Sequence, residues 1–284
     1  MKGPISRSIE TPSGKNPGYE NFPVGSFLLP ATLRPHVAIF YKFARTIDDI
    51  ADNPNLDPNE KVHRLDGFEK AIIGTEKNNP LFETGHLMRE SLKECRMRPK
   101  YCVDLISAFK QDAIKLRYKN WDDLMSYCSL SAAPVGRYLL DLHGGSKDGY
   151  GPSDALCKAL QVINHIQDCQ DDFNKLNRVY LPLDWMAEER ISFDVLSKNY
   201  SIPGLRRVVF RLLDATEDLM QEARKLPSGL YNLRLSMESG AIIRIADRLI
   251  QKLRKDDPLV RRVELNTSEY FSCVSIGAIS GFFQ

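Results

Sequence analysis

Long apolar runs are missing from this chain. No window approaches the roughly 20 apolar residues that span a bilayer, and the most apolar stretch, Tyr270 to Gln284, is short and broken by Gly277 and Gly281. Any membrane contact is therefore expected to be peripheral, at an inner membrane. An excess of one charge is missing too: 39 Lys and Arg against 37 Asp and Glu give a formal net charge of +2, so no strongly basic face for nucleic acid is expected. The six cysteines (Cys95, Cys102, Cys128, Cys157, Cys169 and Cys273) show neither Cys-x-x-Cys pairs nor zinc-ligand spacing. That pattern excludes a disulfide framework and a structural zinc and fits a reducing cytosol. The N-terminal residues lack the charged-then-apolar layout of a secretory signal. Residues 1–18, polar with Pro and Gly, read as a flexible leader, and residues 19–284 as one domain.

What is present is a succession of amphipathic helical patterns. From Leu33 to Asp52, the residues Val37, Phe40, Phe43, Ala44, Ile47 and Ala51 recur at three- and four-residue steps, the period of a helix with one buried face. Pro30 and Pro35 suit its approach and first turn. The turn formers of Asn53 to Asn59 close it, with Asp57 or Asn59 as the next cap. Further helices are predicted at Glu60–Ile73, Leu81–Cys95, Lys100–Ile114, Trp121–Leu142, Ser153–Asp172, Ile202–Arg224, Tyr231–Lys255 and Pro258 to about Ser280. No run alternates as a strand does, and no fixed-period repeat marks a solenoid. His143–Pro152 is the richest Gly/Pro stretch, but its length suits a loop between helices. The expectation is an all-α, single-domain bundle.

Two of these helices carry acids where apolar helices ordinarily do not. Asp48 and Asp52 stand four residues apart, as do Asp168 and Asp172 about 120 residues later. Each pair therefore shares a helix face, and the like charges repel unless something cationic offsets them. Gln161 and Asn164 extend the second pair into a polar stripe, and Arg45 precedes the first by one turn. Either pair alone would be an ordinary solvated face; two pairs embedded in apolar helices suggest a joint site. Mg²⁺ suits it, because that ion takes carboxylate oxygens and completes its shell with water and phosphate oxygens.

These acidic motifs, with Tyr127-Cys128 followed by Ala132, Ala133 and Gly136, and with Arg178-Val179-Tyr180-Leu181-Pro182 after the second motif, resemble the squalene and phytoene synthase family of head-to-head isoprenoid synthases. The similarity covers roughly residues 19–270, and its motifs are specific as a set. It implies an isoprenoid-synthase helical bundle with a central apolar cavity, in which a farnesyl-derived diphosphate ionises between two opposed acidic helices. It also implies Mg²⁺ on Asp48, Asp52, Asn164, Asp168 and Asp172. Arg45, Gln161, Asn164, Arg178 and Tyr180 would bind substrate, and Tyr127 would join the four aspartates as a catalytic residue. Asp49 and Asp171 are additional acids expected to lie beside the metal face. The chain departs from the family in its segment Tyr19 to Ser26, which lacks the phosphate-contacting His or Ser-rich stretch of many members. Glu20-Asn21-Phe22-Pro23, together with Ser131-Ala132-Ala133-Pro134-Val135-Gly136-Arg137, resembles the bacterial branch that makes hydroxysqualene from presqualene diphosphate in hopanoid synthesis.

On that resemblance the reaction is ionisation of presqualene diphosphate, rearrangement of a cyclopropylcarbinyl cation and capture by water, which needs no reductant. Substrate and product would be handed over from and to other enzymes of the squalene pathway. Two alternatives stay open: condensation of two allylic diphosphates to presqualene diphosphate, squalene or phytoene, and a non-catalytic assembly factor on the same scaffold. Other features are given plainer readings. The five histidines show no His-Glu-x-x-His spacing, although His165 neighbours Asn164. Asp122 and Asp123 suit a helix start, the basic run Arg248 to Arg262 suits a solvated face, and Pro134 should kink its helix.

Overall fold

Proline and polar caps set where the helices begin. Pro35 occupies the first turn of α1 (Arg34–Ala51), and Asp57 accepts the backbone N–H groups of Asn59 and Glu60 to open α2 (Pro58–Ile73). The computed structural model describes residues 9–10, 29–145 and 147–283. The chain continues through α3 (Glu83–Glu94), α4 (Lys100–Ile114), α5 (Trp121–Ser131), α6 (Ala133–Leu142) and α7 (Tyr150–Gln167). It ends with α8 (Cys169–Leu176), α9 (Leu183–Glu188), α10 (Pro203–Ala223), α11 (Leu233–Lys255) and α12 (Thr267–Phe282). Among the described residues there is no strand, only one isolated parallel bridge between Arg117 and Val179. The all-α expectation is met. No described helix is long and apolar enough to cross a membrane.

Three predicted helices are divided or shortened. Trp121–Leu142 breaks at Ala132, because Pro134 has no N–H to bond back to the preceding turn and instead starts α6. Ser153–Asp172 begins three residues early, at Tyr150, and bends at Asp168. The hydrogen bonds nevertheless run on, from Asp168 N to Asn164 O at 2.9 Å and from Asp172 N to Asp168 O at 2.8 Å. The third prediction starts too early: residues 258–266 are turn and extended backbone, and α12 opens at a capping box between Asn266 and Glu269.

Of the stretch read as a leader, only Ile9 and Glu10 are described. Arg64 Nη1 donates to Ile9 O at 3.1 Å, and Thr84 donates to the Glu10 carboxylate. The 19–26 segment, with its Glu20-Asn21-Phe22-Pro23 signal, lies outside the described residues.

One continuous core of aliphatic and aromatic side chains runs from α1 to α12. α7 lies against α5, α6, α10 and α11, while α1 lies against α2, α3 and α4. Between α6 and α7 the approach is close: a Cβ on Gly136 would stand 2.3 Å from Ser153 Oγ and 2.7 Å from Cys157 Sγ. This packing leaves the polar stripe of α7 and the C-terminal end of α1 on the wall of the same interior cavity.

Candidate active site

A cavity of about 390 Å³ is lined by all ten residues singled out from sequence: Arg45, Asp48, Asp52, Tyr127, Gln161, Asn164, Asp168, Asp172, Arg178 and Tyr180. Residues from α1, α5, α7 and α8 and from the Arg178–Tyr180 segment thus converge although up to 135 positions separate them in the chain. Helix geometry explains the local part. Arg45 reaches forward one turn to Asp48 (Nη1–Oδ2, 3.0 Å) and to Asp49 (Nη2–Oδ1, 3.1 Å). Asp49 does not line the cavity; it is buried behind Arg45 and orients it. Asp171 also points away, exposed and paired with Lys175 at 2.8 Å.

Long-range packing supplies the other counter-charges. Arg178 is almost fully buried, with Nη1 on Asp52 Oδ1, Nη2 on Ala51 O at 2.7 Å and Nε on Asp112 O at 3.1 Å. Burial opposes its charge, but Tyr180, Asp112 and Asp52 outweigh that and hold the guanidinium protonated. Arg262 donates to Asp168 Oδ1 at 2.6 Å and lines the cavity, so this end of the Arg248–Arg262 run is not the solvated face expected. Other members of the run are paired: Arg248 and Lys252 with Glu269, and Arg254 with Asp214 and Glu217.

Asp112 escaped the sequence reading. It is buried and accepts hydrogen bonds from Tyr127 Oη at 2.5 Å and Tyr180 Oη at 2.9 Å, tying the two tyrosines together. Burial pushes its carboxyl up to about 6 against the pull of Arg178. A signal was present: Asp112 follows Leu105 by seven residues and Ala108 by four, which puts an acid on the apolar stripe of α4. His165 lines the cavity too, its ring stacked 3.6 Å from that of Tyr180. Burial, then Arg178, push its imidazole down to about 3, so the ring is neutral. Arg262 offered no signal, because it lies in irregular chain where no periodicity assigns a face.

The cavity is chemically divided. Its polar end has aspartates faced by Arg45, Arg178 and Arg262, and the rest of the wall includes Val37, Phe40, Phe109, Val135, Leu156 and Ile242. The aspartates and Asn164 offer only oxygen donors, the set a hard divalent cation prefers. Among the described residues no three Asp, Glu, His or Cys groups are drawn close enough to enclose an ion. Asp48, Asp52 and Asp168 instead each face a guanidinium. Donor chemistry and location fit a divalent ion, which would compete with these arginines for the carboxylates.

Residues 16–269 match the family described as squalene/phytoene synthase. A hydroxysqualene synthase of Rhodopseudomonas palustris is 41% identical over 276 residues, 97% of this chain and 93% of that protein. One from Sinorhizobium fredii is 39% identical over 88% of this chain and 85% of its own length. The crystal structure of a squalene synthase from Alicyclobacillus acidocaldarius superposes with a TM-score of 0.70 at 30% identity, covering 82% of this chain and 87% of the other.

Proposed function

Because the chain belongs to the squalene/phytoene synthase family, whose members act on farnesyl-derived diphosphates and generally use a divalent metal, we propose that it converts presqualene diphosphate to hydroxysqualene with Mg²⁺. The observation that carries this reading is one cavity whose lining joins a cluster of aspartates and arginines to a largely apolar wall, interrupted by Glu238 and a few serines. A diphosphate ester of a long prenyl substrate has the same division. The relatives named hydroxysqualene synthase support the choice of product.

In the proposed reaction the carbon–oxygen bond to the diphosphate breaks, and the electron pair leaves with the diphosphate. Arg45, Arg178 and Arg262 place positive charge at the end of the cavity where that negative charge develops. Asp48, Asp52, Asn164, Asp168 and Asp172 would hold Mg²⁺, which supplies further electrostatic stabilisation of the leaving group. The remaining cation rearranges beside the aromatic cluster of Tyr127 and Tyr180, whose hydroxyls are turned to Asp112. Burial, with the Asp112 carboxylate beside them, raises both phenols well above their usual range, so they stay protonated. The apolar walls exclude bulk water until one water adds its oxygen to the cation and gives its proton to the released diphosphate.

Condensation of two farnesyl diphosphates is the second reading, favoured by the 30% identical structure of a squalene synthase. One assay separates them. The purified chain, incubated with Mg²⁺ and either presqualene diphosphate or farnesyl diphosphate, is expected to give hydroxysqualene from the first and nothing from the second. Turnover of farnesyl diphosphate alone would overturn the main reading.

A further inference from the structure

From Tyr270 to Phe283 the chain carries no charged residue, although most of this stretch is a helix at the protein surface. One side of α12 is pressed on α11, where a Cβ on Gly277 would lie 2.4 Å from Gly240 O and one on Gly281 2.4 Å from Ser236 O. The other side faces outward. It presents Phe271, Ile276, Ile279, Phe282 and Phe283, which are 47% to 80% exposed and are interrupted only by serines. At about 100° per residue these five fall within roughly half the helix circumference, so they form one face. Tyr231, 87% exposed, and Leu233 extend the patch from the start of α11, which packs beside the end of α12 through Ser236 Oγ and Gly281 O at 2.7 Å. A helix exposed only to water would carry charge on that face.

Two further observations identify what covers it. Arg234 and Arg244 are exposed on α11, and neither joins an ion pair among the described residues. The one acid of α12, Glu269, is already held by Arg248 and Lys252. An uncharged apolar face flanked by arginines that pair with no described acid complements an anionic lipid surface better than an ordinary acidic or mixed protein surface. The patch also adjoins the cavity: Leu230 and Leu235 line it, and they alternate along the chain with exposed Tyr231 and Leu233. α12 is about 24 Å long, less than the roughly 30 Å hydrocarbon core, so it suits lying in the interface and not spanning it.

We infer that the outward face of α12, with Tyr231 and Leu233, docks on an anionic bilayer, and that the water-insoluble product leaves the cavity there. Product release rests on the hydroxysqualene reading; lipid docking does not.

The test is co-sedimentation of the full chain with vesicles of phosphatidylcholine alone or mixed with phosphatidylglycerol. Wild type is expected to sediment with the anionic vesicles. Phe271→Ser, Ile279→Ser and Phe282→Ser combined should weaken that binding by roughly tenfold or more. Arg234→Ala with Arg244→Ala, which leaves the apolar face intact, should reduce the preference for phosphatidylglycerol. Circular dichroism checks that each variant keeps its helices. Turnover of detergent-dispersed presqualene diphosphate should match wild type in both, whereas turnover of vesicle-borne substrate should fall in the triple variant. Wild type that stays in solution with every vesicle, or a folded triple variant that binds as wild type does, overturns the inference. So does a wild-type dimer that the triple substitution dissociates, because a second copy would then cover the face. If no diphosphate is turned over, the proposed activity fails while the sedimentation result still decides the docking.

Discussion

Arg178 bridges the end of α1 to the interior of the cavity: it holds the Asp52 carboxylate through Nη1 and the Ala51 carbonyl through Nη2 at 2.7 Å. Because it lies just beyond the second acidic motif, this one side chain joins the two halves of the site. Breaking a buried ion pair by removing one partner costs about 3–5 kcal/mol, since the other charge is left uncompensated. Asp52 keeps some solvent contact, so the lower end of that range applies. Arg178→Ala is expected to lower urea-unfolding stability by about 3 kcal/mol and kcat/KM by roughly 100-fold or more. Arg178→Lys should recover little of either, because an ammonium cannot reproduce a three-way planar contact.

Asp112 gives a pH signature of known sign. Its carboxyl is raised in the folded chain to about 6, so between the ordinary carboxylate range and about 6 the folded state binds the extra proton. Stability contributed by this group is therefore full below about 4 and falls as pH rises to about 6, by on the order of 2–3 kcal/mol. Asp112→Asn, which can still accept one tyrosine hydroxyl, should flatten the stability profile in that window. Denaturant titrations at pH 4 to 7 measure it; an unchanged slope would count against the assignment.

Asp48→Ala and Asp172→Ala test the oxygen donors. Both side chains line the cavity, so their removal should leave the helical circular dichroism intact and reduce turnover by about 100-fold or more. Full activity in either variant would refute the metal assignment.

Metal removal supplies an independent check. Chelation by EDTA is expected to abolish turnover of presqualene diphosphate, and excess Mg²⁺ to restore it. Mg²⁺ binding read by calorimetry should weaken in Asp168→Ala. Persistence of turnover through chelation would exclude a required divalent ion.

The α11–α12 contact can be tested through Gly240. A Cβ there would meet Gly277 O at 2.4 Å, and that neighbour is backbone and cannot rotate aside. Gly240→Ala is expected to cost about 1–3 kcal/mol in denaturant unfolding by forcing the helices apart. Gly151→Ala, where a Cβ meets nothing within 4 Å, should cost far less and serves as the control.

Much of this molecule follows from local sequence. The periodicity around Phe40, Phe43 and Ile47 suffices to make α1 a helix with one buried face, and four-residue spacing suffices to put Asp48 with Asp52, and Asn164 with Asp168 and Asp172, on shared faces. Such relations depend only on helix geometry, which the nearest few residues set. The bend at Asp168 and the break at Ala132 were less legible because tertiary packing, as well as propensity, decides where a turn of helix yields. Arg45 within one turn of Asp48 and Asp49 was legible, but charge pairing beyond a helical turn was not. Which guanidinium meets Asp52 or Asp168, and that Asp112 ties Tyr127 to Tyr180, depends on segments 68 to 126 residues apart being brought together when the helices bury their apolar faces. Sequence alone thus determined most of the helices, the facing of their acids and the local pairing of Arg45; only the tertiary structure decided which distant charges neutralise one another, because electrostatic partners are set by distance in space and not by separation along the chain.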